Sequence, residues 1–245
     1  LMPIKRKLIK HGYLNSLDWR DIEVYYIVST GRTATKFLAH FFNNYDNNIL
    51  ALHEPKPHIG KLRLKYLTNS ISHQQALNIF DYYRTRYAYK INKRNIKLYI
   101  ESDWQASYLI PVLNDLFDNV KYIWIIRNGI DFVRSAYSKR MSHQKNKPFV
   151  YGENDKSYQI TPKLLVDNPY ADYWDTWDRF SKICWYWTTL NSIIENNLNE
   201  NTKSKFIQIK YEDIFQDPNH NGLKEIIQFI GLNTDEKKIN YARKQ

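Results

Sequence analysis

Two apolar segments of this 245-residue chain are each followed by a basic polar loop and then by a helix-like pattern. The first is 24–28, followed by the loop at 29–36, and the second is 122–126, followed by 127–135. Each pattern predicts a buried strand, a loop and a helix, which is how an α/β protein binds an anion at the carboxyl edge of its sheet. Two such loops predict a ligand that carries phosphates at two ends.

The rest of the chain continues the same alternation of strands and helices, without internal repeats or low-complexity linkers. It predicts one α/β domain over 1–245, with a mostly parallel sheet flanked by helices on both faces. Residues 1–20 form a basic lead-in, and the polar stretch 144–170 is predicted to be a lid or acceptor-binding loop. The predicted strands are 23–29, 49–53, 96–100, 120–126 and 205–209, and the predicted helices are 34–44, 72–90, 105–117, 129–143 and 171–199.

Three local features refine this prediction. Ser72 is a candidate N-cap for the helix at 72–90, and Gly231 a candidate C-cap for a helix ending near 230. The long helix at 171–199 has one apolar stripe with helical spacing, which predicts its core face. The stripe consists of Tyr173, Trp177, Phe180, Cys184, Trp187 and Ile194.

Charge and cysteine content narrow the class of protein. The net charge is +11, which favours anionic partners, but the basic residues are dispersed along the chain. The one cysteine, Cys184, excludes an intrachain disulfide framework and a cysteine-rich zinc site, and we expect it to be a buried apolar residue. Without an apolar run of about 20 residues or a signal-peptide pattern, we expect a cytoplasmic protein with no stable membrane insertion.

The first loop is not a nucleoside-triphosphate loop of the G-x-x-x-x-G-K-[ST] type. Lys36 stands where that pattern needs its second glycine, and Phe37 where it needs lysine. The loop still has the composition of a phosphate site: Arg32 offers a charged fork, and small Ala34 allows backbone amides to approach an anion. Because Ala34 carries a Cβ, we expect a negative φ there.

The order of the motifs resembles that of sulfotransferases that use 3′-phosphoadenosine 5′-phosphosulfate (PAPS). Arg32-Thr33-Ala34-Thr35-Lys36-Phe37 resembles their 5′-phosphosulfate loop, and Arg127 and Ser135 have the spacing of their 3′-phosphate site. The segments 210–218 and 229–232 resemble two further family segments, so that the resemblance covers about 23–232.

The resemblance implies a PAPS donor, the product adenosine 3′,5′-bisphosphate (PAP) and no metal. It implies catalytic roles for Arg32, with Lys36 as an aid, and for a base at the end of the second strand. Glu54 is the favoured base and His53 the alternative, and strand alternation predicts that only one of them faces the cleft. The implied cofactor-binding residues are Gly31, Arg32, Thr33, Ala34, Thr35, Lys36, Phe37, Arg127 and Ser135.

Three further expectations concern the remaining charges and the acceptor. Glu212 and Asp213 are expected to brace the structure, and Arg243 and Lys244 to be surface charges, because the Arg-Lys-Gly segment of many relatives is incomplete here. The acceptor is expected to be a hydroxyl or amine of a small molecule, in keeping with secondary metabolism. The scattered histidines give no metal-ligand spacing, so that no metal site is expected.

Two other classes of protein share some of these features. An ATP-dependent small-molecule kinase with a degenerate phosphate loop would also use strand–loop–helix units, and it would require magnesium. A basic nucleic-acid-binding protein would use the positive charge and the many tyrosines, but recognisable nucleic-acid-binding motifs are absent from the sequence. We therefore expect no nucleic-acid partner, and the sequence makes no prediction of the oligomeric state.

Overall fold

A computed structural model describes residues 19–138, 160–200 and 204–244. Its five strands form one parallel sheet in the order β2-β3-β1-β4-β5. The strands are β1 (Glu23–Ser29), β2 (Ile49–His53), β3 (Leu98–Ser102), β4 (Lys121–Ile126) and β5 (Lys205–Lys210). The predicted α/β class is therefore confirmed, and β1 lies between β3 and β4 in the middle of the sheet.

Ten α-helices and four short 3-10 segments connect the strands within the described residues. The α-helices are α1 (Thr35–Tyr45), α2 (Gly60–Leu67), α3 (His73–Thr85), α4 (Ala88–Arg94), α5 (Ile110–Leu116), α6 (Gly129–Ser138), α7 (Arg179–Glu200), α8 (Tyr211–Phe215), α9 (Asn221–Phe229) and α10 (Glu236–Lys244). The 3-10 segments are Trp19–Asp21, Trp104–Tyr108, Pro162–Leu164 and Trp174–Thr176.

The sheet is buried on both faces because side chains of its central strands alternate between two apolar clusters. In β1, Val24, Tyr26 and Val28 belong to one cluster, and Tyr25 and Ile27 to the other. The first cluster contains residues of α2 to α7, and the second contains residues of α1 and α8 to α10. This double burial explains why β1 and β4 carry consecutive apolar residues between their ends rather than apolar residues only at alternate positions.

Several element boundaries differ from the prediction. The predicted third strand at 96–100 lies two residues too early, the helix at 72–90 is divided into α3 and α4, and α2 was not predicted. Ser72 is the N-cap of α3, and its side chain forms a capping box with Gln75. Gly231 follows α9 with a φ of 78°, as a helix C-cap glycine requires.

The predicted core stripe of the long helix is wrong at its amino-terminal end. The helix begins at Arg179, and Tyr173 lies before it with 61% of its surface exposed. Phe180 is 53% exposed, Cys184 is half-buried, and Ile194 is fully buried. The apolar spacing therefore marks the core only in the middle of α7.

Candidate phosphate-binding site at the carboxyl edge of the sheet

The loop after β1 is held by hydroxyl groups buried beneath it. The Ser29 hydroxyl accepts hydrogen bonds from the Gly31 amide at 3.1 Å and from the Thr33 hydroxyl at 2.8 Å. The Ser107 hydroxyl accepts from the Ser29 amide at 3.0 Å and donates to the Ser29 carbonyl at 3.1 Å. The Tyr186 hydroxyl donates to the Thr30 carbonyl at 3.0 Å. Thr33 therefore stabilises the loop itself with its side chain.

Three of the four residues 31–34 adopt left-handed backbone conformations. The φ angles are 77° at Gly31, 56° at Arg32 and 58° at Ala34. The expectation that Ala34 has a negative φ is therefore wrong, and a non-glycine residue in this conformation costs about 1–2 kcal/mol. Alternation between right- and left-handed conformations turns successive amide N–H groups toward one side, which forms a concave anion site.

Helix α1 begins directly after this strained loop. Ala34 is its N-cap residue, and within the described residues its first-turn amides donate no hydrogen bond to a capping side chain. Uncapped amides at a helix amino terminus carry a partial positive charge, which a bound anion neutralises. The predicted phosphate loop therefore lies directly before a helix amino terminus that can attract an anion.

The structure brings Arg32, Arg127 and Ser135 together. Arg32 donates from Nε and Nη2 to the Ser135 hydroxyl at 3.3 and 3.1 Å, and Arg127 donates from Nη1 to the Arg32 carbonyl at 2.8 Å. The Arg127 guanidinium also lies 4.4 Å from the ring centre of Tyr211. Arg32 of the first loop is thus a hydrogen-bond partner of both Ser135 and Arg127. The two predicted phosphate segments therefore lie side by side and form one continuous site.

The two arginines repel each other at this site. Burial lowers the pKa of Arg32, and the nearby positive charge of Arg127 lowers it further. The Arg127 Nε is buried, and no described residue accepts a hydrogen bond from it. An anion between the two guanidinium groups would relieve the repulsion and supply acceptors, so these residues fit a phosphorylated ligand.

The loop after β4 is fixed by three neighbouring elements. The Asn128 side chain caps α6 by accepting from the Ile130 amide at 3.0 Å, while Glu212 accepts from the Asn128 amide at 3.1 Å. The Trp187 indole donates to the Arg127 carbonyl at 3.1 Å. The prediction that Glu212 braces the structure is confirmed, because its carboxylate holds the loop that carries Arg127.

The other residues predicted for the first loop differ in their surroundings. Thr35 is buried, whereas Lys36 is exposed to solvent. Phe37 packs against Phe41 and Phe215, with ring centres 6.0 and 5.0 Å away. Lys36 is therefore free to approach an anion from the solvent side, while Phe37 belongs to an aromatic cluster beside the loop.

The two candidate bases lie at the carboxyl end of β2, beside the end of β3. The His53 Nδ1 lies 3.2 Å from the Ser102 carbonyl, which also accepts from the Glu54 amide at 3.2 Å. Glu54 has a φ of 42°, and both side chains are half-buried. Because the strand ends at His53 and the backbone turns at Glu54, simple strand alternation does not decide which of the two faces the cleft.

Asp103 is a buried carboxyl group at this edge that the sequence analysis missed. Burial raises its pKa to about 7, and the nearby carboxylates of Glu101 and Glu54 raise it as well. One carboxylate oxygen accepts from the Gln105 amide at 2.9 Å, and the other is buried without a hydrogen-bond partner in the described part of the chain. The available signal was an acidic pair at the end of an otherwise apolar strand.

A buried ion pair lies behind Asp103. Arg84 donates from Nε to Glu101 at 2.6 Å, and the Tyr99 hydroxyl donates to the same carboxylate at 2.6 Å. Arg84 also donates to the Pro57 carbonyl at 3.2 Å, in the segment between β2 and α2. The pair therefore ties the loop after Glu54 to the middle of the sheet.

Residues 144–159 of the predicted lid at 144–170 lie outside the described residues. An apolar groove of about 550 Å³ lies between α6 and α7. Ile130 and Phe180 expose 72% and 53% of their surface there. The groove lining also includes Gly129 and Trp187, which connect it to the loop of Arg127.

The expected surface charges at the carboxyl-terminal end have different environments. Lys244 is exposed, but Arg243 is half-buried and its Nη1 contacts both ring nitrogens of His220. The expectation for Arg243 is therefore wrong, since this guanidinium packs against the segment that precedes α9. Among the described residues, no helix is both long enough and apolar enough to cross a bilayer.

The protein is an α/β protein with one parallel sheet that is covered by helices on both faces. A family model described as the sulfotransferase domain matches residues 26–245. The chain therefore belongs to the sulfotransferase domain family. No curated protein sequence gives a significant match.

Two solved sulfotransferase domains have a similar fold. The domain from the curacin biosynthetic pathway is 16% identical with a TM-score of 0.54, and the match covers 89% of this chain and 77% of that domain. The domain from the Synechococcus PCC 7002 olefin synthase is 15% identical with a TM-score of 0.53, and the match covers 92% of this chain and 79% of that domain. At these identities the likeness establishes the fold, and the specific chemistry must be argued from the site.

Proposed function

We propose that this protein transfers a sulfuryl group from PAPS to a hydroxyl or amine of a small-molecule acceptor. The observation that carries the proposal is the convergence of Arg32, Arg127 and Ser135 beside the uncapped amino terminus of α1. Membership of the sulfotransferase domain family supports the same chemistry. Bound there, PAPS would supply the activated sulfuryl group and leave as PAP.

In this proposal the loop after β1 holds the 5′ end of the donor. The amides of 32–36 and the guanidinium of Arg32 stabilise negative charge at the phosphosulfate, and Lys36 adds charge from the solvent side. Arg127 and Ser135 hold the 3′-phosphate. The hydrogen bond between Arg32 and Ser135 couples the sites for the 5′ and 3′ ends of the donor, because it joins a residue of one site to a residue of the other.

Glu54 is the proposed base, and His53 the alternative. Glu54 directly follows β2 at the carboxyl edge of the sheet, and it is close enough to Asp103 for its charge to raise the pKa of that carboxyl. A carboxylate at that edge can accept the proton of the acceptor. Glu54→Gln should lower the rate of transfer about a hundredfold or more while leaving the affinity for PAP unchanged, and His53→Gln is the matched variant that tests the alternative.

The apolar groove between α6 and α7 is the proposed site for the apolar part of the acceptor. Its volume lies within the range of small-molecule pockets, and Trp187 connects it to the loop of Arg127. Phe180→Ser should therefore raise the KM for the acceptor without changing the affinity for PAP. Tyr241→Ser, at an exposed aromatic residue of α10, is the control.

Calorimetric titration with PAP, AMP and ATP–magnesium tests the donor class directly. Selective binding of PAP is expected, and it should be weakened at least tenfold in Arg127→Met because a charge-assisted contact is lost. Preference for ATP–magnesium would support a kinase instead. Transfer of labelled sulfate from PAPS to a panel of hydroxyl and amine acceptors then identifies the reaction.

A further inference from the structure

Arg63 is a fully buried cation without a hydrogen-bond partner among the described residues. The residue lies on α2 with 0% of its surface exposed, and within the part of the chain that the structure describes, its Nε, Nη1 and Nη2 atoms all lack an acceptor. By contrast, the equally buried Arg84 is neutralised by Glu101. A guanidinium has five N–H donors, so that burying it without acceptors is costly for the fold.

Two aromatic rings form the immediate surroundings of this charge. The Arg63 guanidinium carbon lies 4.8 Å from the ring centre of Trp104 and 4.7 Å from that of Tyr108. Both rings belong to the 3-10 segment Trp104–Tyr108, which follows β3. Cation–π contacts offset part of the desolvation cost, but they provide no negative charge.

The same 3-10 segment supports the phosphate loop on its other side. Ser107 exchanges two hydrogen bonds with the backbone of Ser29, and Trp104 packs edge-on against Tyr186 with the ring centres 6.5 Å apart. The Tyr186 hydroxyl lies beside that of Tyr108 and donates to the Thr30 carbonyl. One layer of side chains therefore separates Arg63 from the phosphate loop.

We propose that the counter-charge of Arg63 is the anion bound at the phosphate loop, so that Arg63 strengthens donor binding through its electric field. The proposal rests on the proposed donor site, and it requires no direct contact between Arg63 and the ligand. Protein screens charge much less than water does, and the field of a buried cation therefore reaches the loop.

Removal of this charge should have opposite effects on stability and on affinity. Arg63→Met keeps an unbranched chain between the two rings, and it removes an unpaired charge, so that the melting temperature of the unliganded protein should rise. The affinity for PAP should fall about tenfold, the size of effect expected for a unit charge on the order of 10 Å away at an effective dielectric constant of about 20.

The experiment compares wild type, Arg63→Met and Arg63→Gln by thermal unfolding and by calorimetric titration with PAP and AMP. The loss of affinity should be larger for PAP than for AMP, because the energy scales with ligand charge, and both variants should show it. Arg94→Met is the control, since Arg94 is exposed and contacts the Asn47 carbonyl before β2, at the opposite end of the sheet. Its affinity should stay within twofold of wild type.

The outcomes separate this inference from the proposed function. If wild type does not bind PAP, the donor site itself is wrong. If wild type binds PAP and both Arg63 variants bind it equally well, the electrostatic role of Arg63 is refuted. An equal loss of affinity for PAP and for AMP would instead assign Arg63 a purely structural role. A fall in the melting temperature of both unliganded variants would do the same.

Discussion

Asp103 should make the stability of this protein fall as the pH rises from about 4 to about 7. Burial raises the pKa of this carboxyl to about 7 in the folded protein, whereas an unfolded aspartate titrates near 4. The folded state therefore holds a proton that the unfolded state has already released. A carboxyl with a raised pKa stabilises the fold at low pH, and this contribution is lost as the pH approaches the folded value.

The magnitude follows from the difference of about three pH units between the two states. Each unit corresponds to about 1.4 kcal/mol, so that ionising Asp103 lowers the free energy of unfolding by about 4 kcal/mol at pH 8 relative to pH 4. The Asp103→Asn variant keeps an oxygen acceptor for the Gln105 amide, but it cannot ionise. Its free energy of unfolding should exceed that of wild type by a margin that grows from pH 5 to pH 8.

Urea unfolding at pH 5, 6, 7 and 8 measures this difference for wild type and Asp103→Asn. Asp217→Asn is a useful control with the opposite sign, because amides of Asn219 and Asn221 lower the pKa of the Asp217 carboxyl. Asp217→Asn should lower the free energy of unfolding by a nearly constant amount from pH 5 to pH 8, where this carboxylate is ionised in both the folded and the unfolded state, and the difference should shrink only at more acid pH. Parallel profiles for wild type and Asp103→Asn would refute the conclusion that Asp103 is protonated in the folded protein.

Three further substitutions test the architecture around the site by urea unfolding. Ala34→Gly should raise the free energy of unfolding by about 1 kcal/mol, since glycine adopts the left-handed conformation without strain, and a loss of stability would contradict that φ. Glu101→Gln should cost about 3–5 kcal/mol because it leaves Arg84 buried without a counter-charge, and a loss below about 1 kcal/mol would oppose this interpretation. Trp187→Phe should cost about 1 kcal/mol by removing the hydrogen bond to the Arg127 carbonyl, and it should also weaken PAP binding in the same protein.

The sequence predicted the order of strands and helices because this information is local. An apolar run bounded by polar turns marks a strand in any context, and β1, β2 and β4 were placed within one residue at either end. The loops after β1 and β4 were also predicted from composition alone. Their adjacency followed only from the sheet order, which sets β4 beside β1 and brings Arg127 to the Arg32 carbonyl.

Boundaries and conformations that depend on distant packing were missed. The spacing of Tyr173 and Phe180 is helical and apolar, but the chain before Arg179 forms only a short 3-10 turn, and both side chains remain largely exposed. Ala34 adopts a positive φ although its side chain disfavours this conformation. The Ser107 hydroxyl, in the 3-10 segment after β3, holds the Ser29 backbone at the start of the loop, so that part of the loop's support comes from a different strand–helix unit.

The sequence by itself determined the α/β class, the position of the two loops that we predict to bind anions, and the likeness to sulfotransferases, since each depends on residue types in short segments. Only the tertiary structure decided the ionisation of Asp103, the unpaired charge of Arg63 and the joining of the two loops into one site. The physical reason is that the free energy of a charge depends on the water, dipoles and other charges around it. Those surroundings are contributed by residues far apart in the chain, and the fold alone assembles them.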